Sequence, residues 1–124
     1  MPLWAKLVTH KVLKWSDEYA LSEEWQTQVQ DVTVSDVATS ITKDSTYGQP
    51  RHMVLLDIDY EAQLIPSSTP GHYHLYLDVP GGIEHEKYMR LLRALSDAKV
   101  IEPGFAQSAI SRGFSSLRLP WKSK

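Results

Sequence analysis

The chain has 124 residues, 42% apolar, 10% aromatic and 23% charged, with four Trp and no Cys. This length suits one domain with a core of its own, and the missing cysteines exclude a disulfide scaffold and a Cys zinc ribbon. Thirteen basic against fifteen acidic residues give a formal charge of -2, which argues against a protein that coats DNA. The charge is unevenly spread, however. Residues 1–62 carry ten acids and five bases, residues 63–124 five acids and eight bases. The last thirteen residues hold Arg112, Arg118, Lys122 and Lys124 and no acid, so a polyanion could be met at that end. The longest apolar run, Met-Val-Leu-Leu at 53–56, is far too short to cross a bilayer, and residues 1–6 have no signal-peptide pattern. The expectation is a cytoplasmic protein without membrane partners.

In chain order, residues 6–15 are expected to form a strand containing Leu7, Val8, Val12 and Leu13. Ser16 and Asp17 can start a helix whose sparse apolar stripe, Tyr19, Trp25 and Val29, runs to residue 30. Residues 31–50 are ambiguous: Ser35 and Asp36 could cap a short helix to Thr42, while Val32 and Val34 suit a strand. Residues 52–60 are rich in strand formers, with Val54, Leu56, Ile58 and Tyr60 facing one way and Asp57 and Asp59 the other. Pro66-Ser67-Ser68-Thr69-Pro70-Gly71 reads as a turn. The next strand, 72–79, alternates again: Tyr73, Leu75, Leu77 and Val79 share one side, His72, His74 and Tyr76 the other. Residues 83–99 are the clearest helix, with Tyr88, Leu91, Leu92, Leu95 and Ala98 at helical spacing. Two short strands at 105–111 and 114–119, joined at Arg112 and Gly113, complete the reading. The fold expected is an α+β, RRM-like or ferredoxin-like βαββαβ sandwich, its antiparallel sheet covered by helices on one face only.

The open face would gather Asp57, Asp59, His72, His74 and Tyr76. Two carboxylates at i and i+2 on one strand can share a divalent cation. The His-x-His pair could bind phosphate, ligate a metal, or act as acid and base. His10 and His52 are read as structural. Arg112, Arg118 and Lys122 offer donors suited to phosphate.

These stretches also resemble a known family. Val54-Leu55-Leu56-Asp57-Ile58-Asp59, then Ser68-Thr69-Pro70-Gly71-His72-Tyr73-His74-Leu75-Tyr76-Leu77, resemble the first two motifs of the archaeo-eukaryotic primase superfamily, especially bacterial and phage primase-polymerases. Residues 111–119 look like the arginine-bearing strand near that family's third motif. The resemblance implies a minimal RRM-like palm domain over 1–124, with 1–50 as its divergent N-terminal part. It implies catalytic Asp57 and Asp59 holding Mg²⁺ or Mn²⁺, and His74 at the phosphates of an incoming nucleotide. It adds Arg118, with His72, Arg112 and Lys122, as phosphate contacts, and Tyr76 as a base-stacking residue. Nucleotides and DNA or RNA would be its partners, and nucleotidyl transfer in DNA replication its activity. The family's third acid has no counterpart here, Glu102 being the nearest candidate. The alternatives are a catalytically silent RRM-like nucleic-acid-binding module, or an interaction protein presenting Trp4, Trp15, Trp25 and Trp121 to itself or to a replication partner.

Overall fold

The computed structural model describes residues 2–12, 26–45 and 49–122. The chain is α+β with antiparallel pairing throughout its sheets, as expected, and its element content is compatible with a small ferredoxin-like fold. It divides into two compact units, Met1–Asp57 and Ile58–Lys124. No helix among the described residues is long and apolar enough to cross a membrane.

The first unit is a three-stranded sheet. A 3-10 turn, Leu3–Lys6, leads into β1 (Leu7–Val12), which lies between β2 (Gln26–Val29) and β3 (Val37–Thr42). Leu7, Thr9 and Val12 are buried along the central strand. The β1/β3 register shifts between Leu7 and Thr9, and there the Thr39 hydroxyl donates to the Val8 carbonyl at 2.7 Å. A side chain thus takes up a carbonyl that the interrupted ladder leaves over. Buried Thr9 is satisfied as well: its hydroxyl donates to the Val29 carbonyl at 3.2 Å and accepts from Ser35 at 2.8 Å.

Three expectations change in this unit. The helix expected to run to residue 30 is strand β2 over its last residues, paired with β1 from Val12↔Gln26 to Thr9↔Val29. Its earlier part, with Tyr19 and Trp25, lies outside the described residues, as do Leu13 and Trp15 at the end of the first expected strand. The ambiguous 31–50 region resolves into a 3-10 turn, Val32–Val34, capped by Asp31, followed by β3. Residues 52–60 do not form a strand: only His52 makes a bridge, to Ile41, with its Nδ1 2.7 Å from the Ser40 hydroxyl. Val54, Leu55, Leu56, Ile58 and Tyr60 are exposed. Strand propensity describes how a residue fits a sheet, and without a partner strand it fixes nothing.

The second unit starts with a hairpin, β4 (Ala62–Pro66) and β5 (Tyr73–Leu77), in register from Ala62↔Leu77 to Pro66↔Tyr73. Helix α1 (His85–Asp97) follows, and its buried Met89 and Leu92 pack on α2 (Pro103–Arg112) at Ala109, with Tyr88, Ile101 and Ile110 around them. Ala109 is fully buried, and its small side chain lets the two helices approach closely.

Helix α2 replaces the first of the two strands expected after residue 104, and the second, 114–119, has no regular structure. The reason is visible in the ends. Pro103 stands in the first helical turn, where its missing N–H costs nothing, and Gly113 caps the C-terminus with φ +89°, donating its N–H to the Ala109 carbonyl at 2.8 Å. Beyond the cap the chain is tied down by side chains. Tyr88 hydrogen-bonds to Ser115, and Arg112 donates to Ser116 at 3.1 Å while its guanidinium lies 5.4 Å from the centre of the Phe114 ring.

Candidate phosphate-binding hollow

The hairpin turn is built by local chemistry. Thr69-Pro70-Gly71-His72 closes with the His72 N–H donating to the Thr69 carbonyl at 3.1 Å. Pro70 stands second and Gly71, at φ +80°, third, the arrangement a type II turn requires. The Ser67 hydroxyl accepts from the Thr69 N–H at 3.1 Å and donates to its carbonyl at 3.2 Å, bracing the approach to the turn. The Ser67 N–H donates to the His72 carbonyl at 2.9 Å, so Ser67 and His72 form a hydrogen-bonded pair. Pro66 then falls at a non-hydrogen-bonded position, where the ladder does not ask for its missing N–H.

Strand register decides which side chains share a face. Ile65 is opposite His74 and Gln63 opposite Tyr76, so these four point to one side, as the alternation of 72–79 predicts. Ala62, Leu64, Pro66, Tyr73, Leu75 and Leu77 occupy the other, wholly apolar side.

A hollow of about 210 Å³ opens against the His74 face. One wall is the hairpin: Ile65 and Pro66 at the end of β4, Ser67, Ser68 and Thr69 of the turn, and half-buried His74 on β5. The other wall is the C-terminal segment, which supplies Arg118, Leu119, Pro120 and Lys122. That segment turns sharply, with the Lys122 N–H donating to the Leu119 carbonyl at 3.0 Å. Two fixed cations, an imidazole and the hydroxyls of Ser68 and Thr69 therefore border one small space. No carboxylate of the described residues lines it. Such donors match a phosphate, with arginine able to fork onto two of its oxygens.

The residues singled out from sequence are distributed as follows. His74, Arg118 and Lys122 come together at the hollow. His72 is exposed in the turn beside it, and Tyr76 is 39% exposed on the same strand face as His74. Arg112 is engaged with Ser116 and Phe114 instead. Asp57 and Asp59 are exposed, lie on no strand and fall on either side of the boundary between the two units. Among the described residues no group of three His, Asp or Glu side chains gathers to hold a metal ion. Mg²⁺ is commonly bound through one or two carboxylates together with ligand phosphates and waters, so Asp57 and Asp59 are of the donor type such a cation takes. Glu102 is the N-cap of α2.

Sequence reasoning placed Ser68 and Thr69 in a turn without recognising them as a wall of the hollow, although the Thr-Pro-Gly sequence carried the turn signal. A second concavity, about 470 Å³, lies between α1 and α2. It is the larger and has polar lining in Ser96, Gln107 and Ser111, but it offers an anion one cation, Arg93, with the carboxylate of Asp97 one helical turn away. The smaller hollow has the chemistry. No protein family, curated protein or solved structure matches the chain.

Proposed function

We propose that the chain is a nucleotide-binding protein that holds the phosphates of its ligand in the hollow between the β4–β5 turn and residues 118–122. What supports this reading is the convergence of His74 with Arg118 and Lys122, more distant in sequence, on one space that no carboxylate of the described residues lines and that hydroxyl-bearing residues border. Two cations and an imidazole around so small a space suit a compact polyphosphate. A strand-coating protein uses a longer basic track, and a formal charge of -2 argues against that use.

The reading keeps the nucleotide-binding part of the likeness to primase-polymerases. Nucleotidyl transfer would in addition need a divalent cation, for which Asp57 and Asp59 are the candidate ligands, and no step is assigned to it.

Isothermal titration with tripolyphosphate and ATP tests the hollow. Because hydrogen bonds to charged groups contribute about 1.5–3 kcal/mol, Arg118→Ala and Lys122→Ala should each weaken both ligands roughly tenfold or more. Arg90→Ala, on the exposed side of α1, should change neither. Unaltered affinity in the Arg118→Ala/Lys122→Ala double variant, with unaltered circular dichroism, would refute the proposal. Repeating the titration with Mg²⁺, with Mn²⁺ and in Asp57→Ala/Asp59→Ala reads the cation separately: a cation held there strengthens ATP binding in the parent protein and not in the variant.

A further inference from the structure

The hollow accounts for phosphate and leaves the rest of the ligand unread. Trp121 lies in the chain between two of the hollow's lining residues, Pro120 and Lys122. This indole is 74% exposed, the most exposed of the large apolar side chains among the described residues. The turn closed by the Lys122 N–H on the Leu119 carbonyl puts Trp121 between Pro120 and Lys122. Leu119, Pro120 and Lys122 all line the hollow, while Trp121 does not. The backbone around it is thus committed to the hollow's wall and its side chain is left outside, in water. Pro120, with its fixed φ, stiffens the approach to this position. An indole in water is unfavourable by the measure of its large apolar area, and an exposed aromatic beside a phosphate-type site gains most from a flat ring laid on it.

We infer that Trp121 is the base-recognition element: a nucleotide whose phosphates sit between His74, Arg118 and Lys122 extends past the rim and stacks its base on the indole. The inference rests on the reading of the hollow as a phosphate site and adds the class of ligand it selects, a nucleoside polyphosphate over an inorganic one. Stacking on an aromatic face is available to every base, so purine and pyrimidine nucleotides are both accepted, purines more tightly through their larger ring.

Titration with two ligands that share the phosphates and differ in the base isolates this contribution. ATP should bind the parent protein roughly tenfold or more tightly than tripolyphosphate. Trp121→Ala should bring ATP down to the tripolyphosphate level and leave tripolyphosphate unchanged, while Trp121→Phe keeps part of the difference. ATP, and not tripolyphosphate, should quench the Trp121 part of the fluorescence, a signal absent from Trp121→Phe. Equal ATP affinity in the parent and Trp121→Ala proteins, with Arg118→Ala/Lys122→Ala still losing both ligands, overturns the inference and leaves the hollow standing. Indifference of tripolyphosphate to Arg118→Ala/Lys122→Ala overturns the hollow and the inference with it. At its exposure Trp121 is no part of the core, and circular dichroism of the variants verifies that loss of binding is not loss of fold.

Discussion

At the scale of single residues, the polar side chains of the first unit act mainly as substitutes for backbone pairing. Asp36 accepts from the Val12 N–H at 2.7 Å, and Thr39 and Thr9 take up strand carbonyls. None of these pairings was legible in the sequence, because each joins groups separated by 20 to 31 positions whose meeting depends on register. Asp31 is the local exception. Its carboxylate accepts from the Thr33 hydroxyl at 2.7 Å and from the Thr33 N–H at 3.0 Å. These bonds, the hydroxyl's first, hold its pKa below the ordinary 3.8. A carboxyl depressed in the folded state stabilises that state above its ordinary value, and the contribution disappears as pH falls through the lowered one. Asp31→Asn should accordingly flatten the loss of stability between about pH 5 and pH 2. Urea denaturation across that range measures it, and carboxyl chemical shifts locate the titration directly. Parallel pH profiles for the two proteins would show that the cap does not carry the effect.

Among the elements, helix α1 and strand β5 were legible and helix α2 was not. The first two have long, regular apolar patterns: Tyr88, Leu92 and Leu95 along α1, and Tyr73, Leu75 and Leu77 along β5. In α2 the packing face consists mostly of Ala106 and Ala109, which give a weak periodic signal, so flanking Phe and Ile suggested strands. The end signals, Pro103 and Gly113, were the better guide. The strand expected at 52–60 did not form for a related reason. Spacing of two places both acids on one face only while the segment is a strand, and 53–60 has no ladder to hold it as one. Gly113 offers a clean test of the element reading. A Cβ there would stand 3.6 Å from His85 Cε1, an ordinary contact, so Gly113→Ala is opposed by its φ of +89° and not by crowding. The cost should be about 1–2 kcal/mol, seen as a lower melting temperature. Gly113→Asn should recover part of it, since Asn tolerates the left-handed region better than Ala. Equal stability of all three proteins would show that α2 does not depend on this cap.

For the molecule as a whole, the sequence revealed an uneven charge but not which cations meet. Arg118 and Lys122 reach the hollow because the chain beyond Gly113 is anchored to the helices through Ser115 and Ser116 and passes beside the hairpin turn at 118–122. That return involves residues about 50 positions apart, His74 and Lys122, and no local pattern encodes it. The two compact units give a way to see the ligand's place without mutation. A ligand that binds only the folded form stabilises it by RT ln(1 + [L]/Kd), about 2.7 kcal/mol at a hundred times Kd. Held in the hollow, tripolyphosphate should spend that free energy on the unit Ile58–Lys124, which contains every lining residue. Hydrogen exchange should therefore slow in the β4–β5 hairpin and in 118–122 at saturating ligand. Leu7–Val12, in the other unit, should exchange at its unliganded rate. Added salt should reverse the protection, because Arg118 and Lys122 are exposed and their attraction for an anion is screened over about 10 Å at 0.1 M. Protection centred on β1 to β3, or unaffected by salt, would place the anion away from the two cations on which the phosphate reading depends.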